Sequence, residues 1–293
     1  MIKSPLRYPG GKSRAVKFLS KFIPDFKEFR EPFFGGGSLT FFMAQKNLTT
    51  AKYYANDLNY ELYCFWQTLK LNPDGFIEEI LKIKNEYTDG KKLFKDLMSR
   101  RNDNLTDFER GVHFFILNRI TFSGVVDSGG YSEGAFKGRF TLSSLDRLKL
   151  AYEIIKNVTF TSEDYKKLVD KPGDDVFIFL DPPYHYATKS RLYGKKGELH
   201  TKFNHELFYN NLKNCRHKWL ITYDNSDYIK DLFKEFYLHE WELQYGMNNY
   251  KKDKADMGKE LIITNYEIKN FNQESSKLTE TLQTQLKLEL MAV

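Results

Sequence analysis

The residues best equipped for chemistry are Asp181-Pro182-Pro183-Tyr184. They follow Val176 to Leu180, a short apolar run with a β-branched and aromatic bias that reads as a buried strand. Proline cannot donate to a ladder, so the pair ends the strand and fixes the backbone there. A carboxylate, two proline carbonyls and an aromatic face are left at a strand's C-terminal edge, where ligands bind in open α/β sheets. A planar ring with an exocyclic amine suits such a place. Asp181 and a proline carbonyl each accept one amine hydrogen, and Tyr184 stacks on the ring. Two acceptors would draw a conjugated, weakly nucleophilic nitrogen toward tetrahedral geometry and favour in-line attack on a methyl group. The same four residues also suit a plain rigid turn, with Asp capping and Pro presetting φ.

A second group lies upstream. Phe33-Phe34-Gly35-Gly36-Gly37 is a Gly-rich turn before a helix, a place for close backbone approach by a ligand or simply for a tight turn. Its spacing is not the Gly-x-Gly-x-x-Gly dinucleotide fingerprint. Asp57 ends the next expected strand, where an acid binds ribose hydroxyls or caps a solvated turn. Pro9-Gly10-Gly11-Lys12-Ser13 superficially suggests a phosphate loop, but Leu6 stands where that loop needs Gly and no strand precedes it. Lys12 is left to meet a ligand carboxylate or to structure the site. Asp164, after the strand-like 157–161, either accepts from an amine or belongs to a helix N-terminus with Ser162 and Glu163.

The elements that must hold these groups form an interrupted α/β pattern. Residues 1–57 carry a helix-like stretch at 13–22, a strand-to-helix turn at 31–45 and a strand near 52–55. Residues 58–155 read mostly as helices (61–69, 76–85 and 107–118) around a Gly/Ser-rich loop at 123–138. Strand–helix alternation returns with strands at 157–161, 176–180, 218–223 and 260–266 and helices near 204–214 and 226–235. The expected architecture is one α/β domain, 1–57 with 156–268, split by a helical insertion, 58–155, and followed by a polar tail, 269–293. The chain has 293 residues, 41% hydrophobic, enough for one large domain with an insertion. Two cysteines, Cys64 and Cys215, support neither a disulfide framework nor a zinc site, and no metal is expected. No stretch has transmembrane length and the N-terminus lacks a signal-peptide core, so a cytoplasmic protein with no membrane partner is expected. A net charge of +6 permits a polyanionic partner without requiring one.

In order, Arg7-Tyr8-Pro9-Gly10-Gly11-Lys12, Glu31 to Ser38, Asn56-Asp57, Asn118-Arg119, Gly138-Arg139-Phe140, Glu163-Asp164-Tyr165 and Asp181-Pro182-Pro183-Tyr184 resemble the Dam-type family of DNA adenine-N6 methyltransferases. The Gly loop comes first, the insertion next and the Asp-Pro-Pro-Tyr strand end last, the family's alpha-group order. The resemblance implies a Rossmann-like sheet, S-adenosylmethionine as methyl donor, and a flipped adenine of duplex DNA as acceptor. It implies cofactor contacts from Tyr8, Lys12, Phe33, Gly35, Gly37, Asp57, Asp164 and Asp181. The catalytic set would be Asp181, Pro182, Pro183 and Tyr184, and the insertion would read the target. The loop after Arg119 differs from that of GATC-reading members, so the reaction is implied and the recognition sequence is not.

Two stretches are candidates for DNA contact, each with a solvated loop as the alternative. One runs from Arg119 to Arg139 and includes Tyr131 and Lys137; the other follows the catalytic motif and includes Lys189 and Arg191. A cognate restriction endonuclease is a further possible partner. The rival readings are an RNA-adenine or cytosine-N4 enzyme on the same fold, or a DNA-binding protein that has lost the chemistry.

Overall fold

The computed structural model describes residues 1–47, 50–185, 203–244 and 257–276. Its centre is a seven-stranded sheet in the order β3-β2-β1-β4-β5-β7-β6. The strands are β1 (Glu28–Glu31), β2 (Lys52–Asn56), β3 (Val158–Thr161), β4 (Val176–Leu180), β5 (Lys218–Asp224), β6 (Tyr237–Gln244) and β7 (Met257–Thr264). The first five run parallel, and β7 pairs antiparallel with both β5 and β6. The chain winds outward from β1 in one direction and from β4 in the other, so the strand order reverses between them. This is the expected Rossmann-like arrangement. The crevice at that reversal is where such sheets bind ligands.

The continuous apolar run of β4 is explained by burial on both faces. Phe177 and Phe179 face a cluster with Phe29, Tyr53, Phe160 and Leu220, while Val176, Ile178 and Leu180 face Trp219, Ile221, Tyr223 and Phe208. The helices α1 (Val16–Leu19), α2 (Ser38–Asn47), α3 (Tyr60–Leu71), α4 (Pro73–Glu86), α5 (Gly90–Ser99), α6 (Asp107–Ile120), α7 (Glu133–Arg139) and α8 (Leu142–Ile155) supply the first cluster. Helices α9 (Lys166–Asp170), α10 (His205–Lys213) and α11 (Asp227–Leu232) cover the second face. Helices α3 to α8 occupy the interval read as an insertion, and Phe65, Trp66, Phe115 and Leu148 join the same buried cluster as the sheet. Among the described residues, no helix is long and apolar enough to cross a membrane.

Several elements depart from the reading of the sequence. The stretch 13–22 is helical only over Val16–Leu19. The Gly/Ser-rich stretch 123–138 contains α7, whose first turn is capped by Ser132 accepting from the Ala135 amide. Glycine at 134 and 138 weakened the helical signal, yet neither meets any neighbour that would exclude a helix. Strands β1 and β6 had no reading of their own. β1 spans only Glu28–Glu31, with charge at three of four positions, although all four are buried. Of the polar tail, residues 271–276 are helical and Phe271 packs against Phe18 and Phe22.

Candidate active site

The β1–β4 pairing brings the Gly loop and the Asp-Pro-Pro-Tyr turn to adjacent strand ends. Asp181 leaves β4 with its carboxylate unevenly engaged. Oδ1 lies 2.9 Å from the Lys12 ammonium and accepts from the Thr222 hydroxyl at 2.8 Å. No described residue donates to Oδ2, and none donates to the Pro182 carbonyl. Lys12 is buried, its ammonium also donates to the Gly10 carbonyl, and it sits 4.9 Å from the centre of the Tyr184 ring. Lys12 thereby joins the N-terminal loop to the Asp-Pro-Pro-Tyr turn. The Tyr184 hydroxyl is buried toward Thr222 and Glu260, and burial pushes its pKa well above the ordinary phenol value.

Around the Gly loop, geometry explains the glycines individually. A Cβ on Gly35, whose φ is +48°, would stand 2.6 Å from the Tyr8 ring; one on Gly36 would stand 2.9 Å from the Tyr8 Cβ. Tyr8 therefore lies flush on this loop. Gly37 (φ +64°) faces Phe34 instead, and its amide donates to the Phe34 carbonyl, so it shapes the turn into α2. Asp57 accepts from the Gly35 amide through Oδ2 at 2.8 Å and from the Asn59 amide through Oδ1 at 2.9 Å. Burial raises its pKa to about 6 against these two favourable bonds. Phe33 stacks on Tyr165 at 5.3 Å between ring centres, a flat apolar wall. Asp164 is exposed and accepts from the Lys166 amide at 2.9 Å, the helix-start role that was one of its two readings.

Three residues given no role in the reading of the sequence matter here. Asn56 is buried and ties three strand ends together. Its amide donates to the Pro32 and Glu163 carbonyls, and its oxygen accepts from the Glu163 amide and the Thr161 hydroxyl. Glu31 ends β1, buried, accepting from the Thr40 amide and hydroxyl; desolvation lifts its pKa to about 8. Glu260 on β7 is 1% exposed and lies 3.9 Å from Lys12. The one available signal was an acid standing at the edge of an otherwise apolar strand, as in Lys259-Glu260-Leu261-Ile262-Ile263.

The expected DNA-contacting residues separate into classes. Arg139 and Lys137 are exposed on α7, Lys137 within 3.0 Å of Glu133. Tyr131 is half-buried, packs toward Phe94 and Phe136, and donates to Glu133. Arg119 is buried at 3% exposure, so the surface contact expected of it is not available here. Its guanidinium lies over Phe115 and donates to Asn118; burial, with repulsion from Arg7, Arg147 and Arg139, lowers its pKa to about 9. It falls on the inner side of α6, where its neighbours in sequence are core residues. Asn118 clamps the loop that carries Tyr8 and Lys12. It accepts from the Arg7 amide at 3.0 Å and donates to the Arg7 and Gly124 carbonyls at 2.8 Å each. Beside it, a cleft is lined by Tyr8, Pro9, Asn59, Gly124 and Asp127. Lys189 and Arg191 lie outside the described residues.

Comparison with known proteins accords with this arrangement. Residues 8–247 match the model of the D12 class N6 adenine-specific DNA methyltransferases. The Type II methyltransferase M1.LlaDCHI of Lactococcus lactis subsp. cremoris is 25% identical, over 89% of this chain and 94% of its own. The Type II methyltransferase M.MjaIII of Methanocaldococcus jannaschii is 24% identical over 90% of this chain and 99% of its own. A DNA adenine methylase of Vibrio cholerae is 26% identical over 61% of this chain and 64% of its own. With its Gly loop, acidic strand end and Asp-Pro-Pro-Tyr turn gathered at one sheet edge, the chain belongs to the D12 class of N6 adenine-specific DNA methyltransferases.

Proposed function

We propose that this enzyme transfers a methyl group from S-adenosylmethionine to N6 of an adenine flipped out of duplex DNA, at a specific short sequence, directly and in line. The observation that carries this reading is the asymmetry of Asp181. Lys12 and Thr222 both engage Oδ1, while Oδ2 and the Pro182 carbonyl carry no bond from a described residue. Two such acceptors at one strand end match the two hydrogens of an exocyclic amine. Fixing the carboxylate through Oδ1 preorganises it, so little reorganisation is needed as positive charge develops on the amine nitrogen. Tyr184, three residues after Asp181, supplies a ring for stacking. The proton released from N6 goes to Asp181 Oδ2 or to water.

The residues by the Gly loop fit the cofactor. Asp57 has two oxygens each holding one backbone amide, with a further lone pair on each for ribose hydroxyls. The Phe33–Tyr165 stack suits a planar purine, and Asp164 lies close to that stack in sequence. Tyr8, Gly35 and Gly37 shape the loop on which the cofactor would rest. When bound, S-adenosylmethionine supplies an electrophilic methyl on a sulfonium. Lys12 and Asp181 keep their ion pair beside it.

The helices between β2 and β3 are assigned to target recognition, with Arg139 and Lys137 on the phosphate backbone. Flipping is required because a paired amine is inaccessible within the duplex. A restriction endonuclease of the same specificity is a partner consistent with Type II relatives; phage or regulatory methylation are the other settings. The enzyme would act in the cytoplasm. Long-read sequencing of DNA from a methylation-free host expressing the chain tests the reading. N6-methyladenine at one motif, lost with Asp181→Ala, is the expected outcome; unmodified DNA despite folded protein and bound cofactor would overturn it.

A further inference from the structure

Strand β7 runs against the direction of β4 and β5 and carries one buried acid into the site. Glu260 is paired in register with Asp224 on β5 and with Trp241 on β6. The groups facing its carboxylate are Lys12 from the N-terminal loop, Asp181 and Tyr184 from the end of β4, and Asp224 from β5; Trp241 is uncharged. Lys12 therefore stands between two carboxylates, 2.9 Å from Asp181 Oδ1 and 3.9 Å from Glu260 Oε1. Asp224 is turned away in part, accepting the His185 amide at 2.6 Å through Oδ1. A buried carboxylate with so little hydrogen bonding is costly for the fold alone. Its position beside the one lysine that holds Asp181 gives it a use.

We propose that Glu260 is a positioning residue for methyl transfer, sharing the Lys12 ammonium so that Asp181 is held at Oδ1 without being neutralised as an amine acceptor. This rests on the reading of Asp181 given above. When Glu260 is ionised, the lysine charge is shared between two carboxylates and Asp181 keeps its electron density. When Glu260 is protonated, the Lys12 charge bears on Asp181 alone and that carboxylate becomes a poorer acceptor. Burial, with repulsion from Asp181 and Asp224, raises the Glu260 pKa to about 7, so this change falls within the working range. Activity then rises with pH through neutrality, as the acid loses its proton.

The test is single-turnover methylation of unmethylated genomic DNA by the full chain, from about pH 5.5 to 9, for wild type, Glu260→Gln and Asp181→Asn, beside the Kd for S-adenosylmethionine. Wild type should show an ascending limb near neutrality. Glu260→Gln should lose that limb and run about tenfold below the wild-type plateau, with cofactor Kd within about threefold. Wild-type rates with the limb retained would overturn the proposal, as would a loss of cofactor binding equal to the loss of rate. Should Glu260→Gln fail to fold, Glu260→Asp carries the test. Its shorter carboxylate should keep the limb with a lowered plateau, and a profile identical to wild type would overturn the proposal. Asp181→Asn separates the two readings. If it stays active, the role given to Asp181 fails; if it is dead while Glu260→Gln matches wild type, the failure belongs to Glu260 alone.

Discussion

Lys12 and Asp181 lie 2.9 Å apart, one near the start of the chain and the other at the end of the fourth strand, so the ion pair ties the N-terminal loop to the Asp-Pro-Pro-Tyr turn. The lysine is almost fully buried and the carboxylate only partly so. The pair is thus anchored on its inner side and open on its outer one.

Loss of that carboxylate should stop the chemistry without unfolding the protein. Asp181→Ala is expected to lower the methylation rate by about 100-fold or more, since a preorganised acceptor is removed from a site where charge develops. Far-UV circular dichroism should match wild type, because the surrounding strand ends are held by separate bonds. Turnover close to wild type would show that another group orients the amine.

Gly35 is held at φ +48° under the Tyr8 ring. Gly35→Ala should cost about 1–3 kcal/mol for the left-handed backbone alone. The clash with Tyr8 should add to this and displace the Asp57 bond to the loop. Cofactor affinity measured by calorimetry is expected to fall. Combining it with Tyr8→Ala should recover part of the stability loss but not the backbone component.

Asn118→Ala removes the clamp on the Arg7 backbone. The peptide groups it leaves unpaired should cost about 1–3 kcal/mol. The loop bearing Tyr8 and Lys12 should loosen, with faster amide hydrogen exchange at residues 4–12 than in wild type. Unchanged exchange there would mean that Tyr8 packing alone holds the loop.

Stability should decline as pH rises through neutrality. Glu31 has its pKa raised from 4.5 to about 8 by desolvation, and Glu260 and Asp57 shift in the same direction to about 7 and about 6. Between the unfolded and folded values the unfolded chain has already lost its proton while the folded one retains it, so raising pH favours unfolding. The contribution is complete below pH 4.5 for Glu31 and is lost on the way to about 8. Tm without ligand should be higher near pH 6 than near pH 8.5 on this account. Glu31→Gln should flatten that slope, whereas a slope unchanged in the variant would assign the effect elsewhere.

The arginines near α6 and α7 should behave differently although the sequence presents them alike. Arg139→Ala is expected to weaken DNA binding and reduce the salt slope by about one ion. Arg119→Met should chiefly change Tm, since its guanidinium is buried against Phe115 and Asn118. Lys137→Ala should have a smaller effect on DNA than Arg139→Ala, its charge being shared with Glu133. Filter binding across a salt series distinguishes the three.

Local residue types alone determined where the fourth strand ends. The run Val176 to Leu180 followed by two prolines admits little besides a buried strand that stops, and the structure places β4 over those five residues. The Gly turn was legible for a similar reason, since Gly35 and Gly37 take a positive φ that glycine adopts without strain, whereas Asp57 read equally as a ribose-binding acid or a turn residue. Only tertiary structure decided which distant groups meet. Lys12 carries no mark of its bond to Asp181, because an ion pair between remote segments depends on strand order and not on local preference. Glu260 drew no reading of its own, and only the antiparallel pairing of β7 with β5 sets it opposite Asp224. Arg119 and Arg139 have the same side chain, but one faces the inner side of α6 and the other ends α7 in solvent. Burial and charge depend on everything packed around a residue, which one-dimensional spacing does not contain.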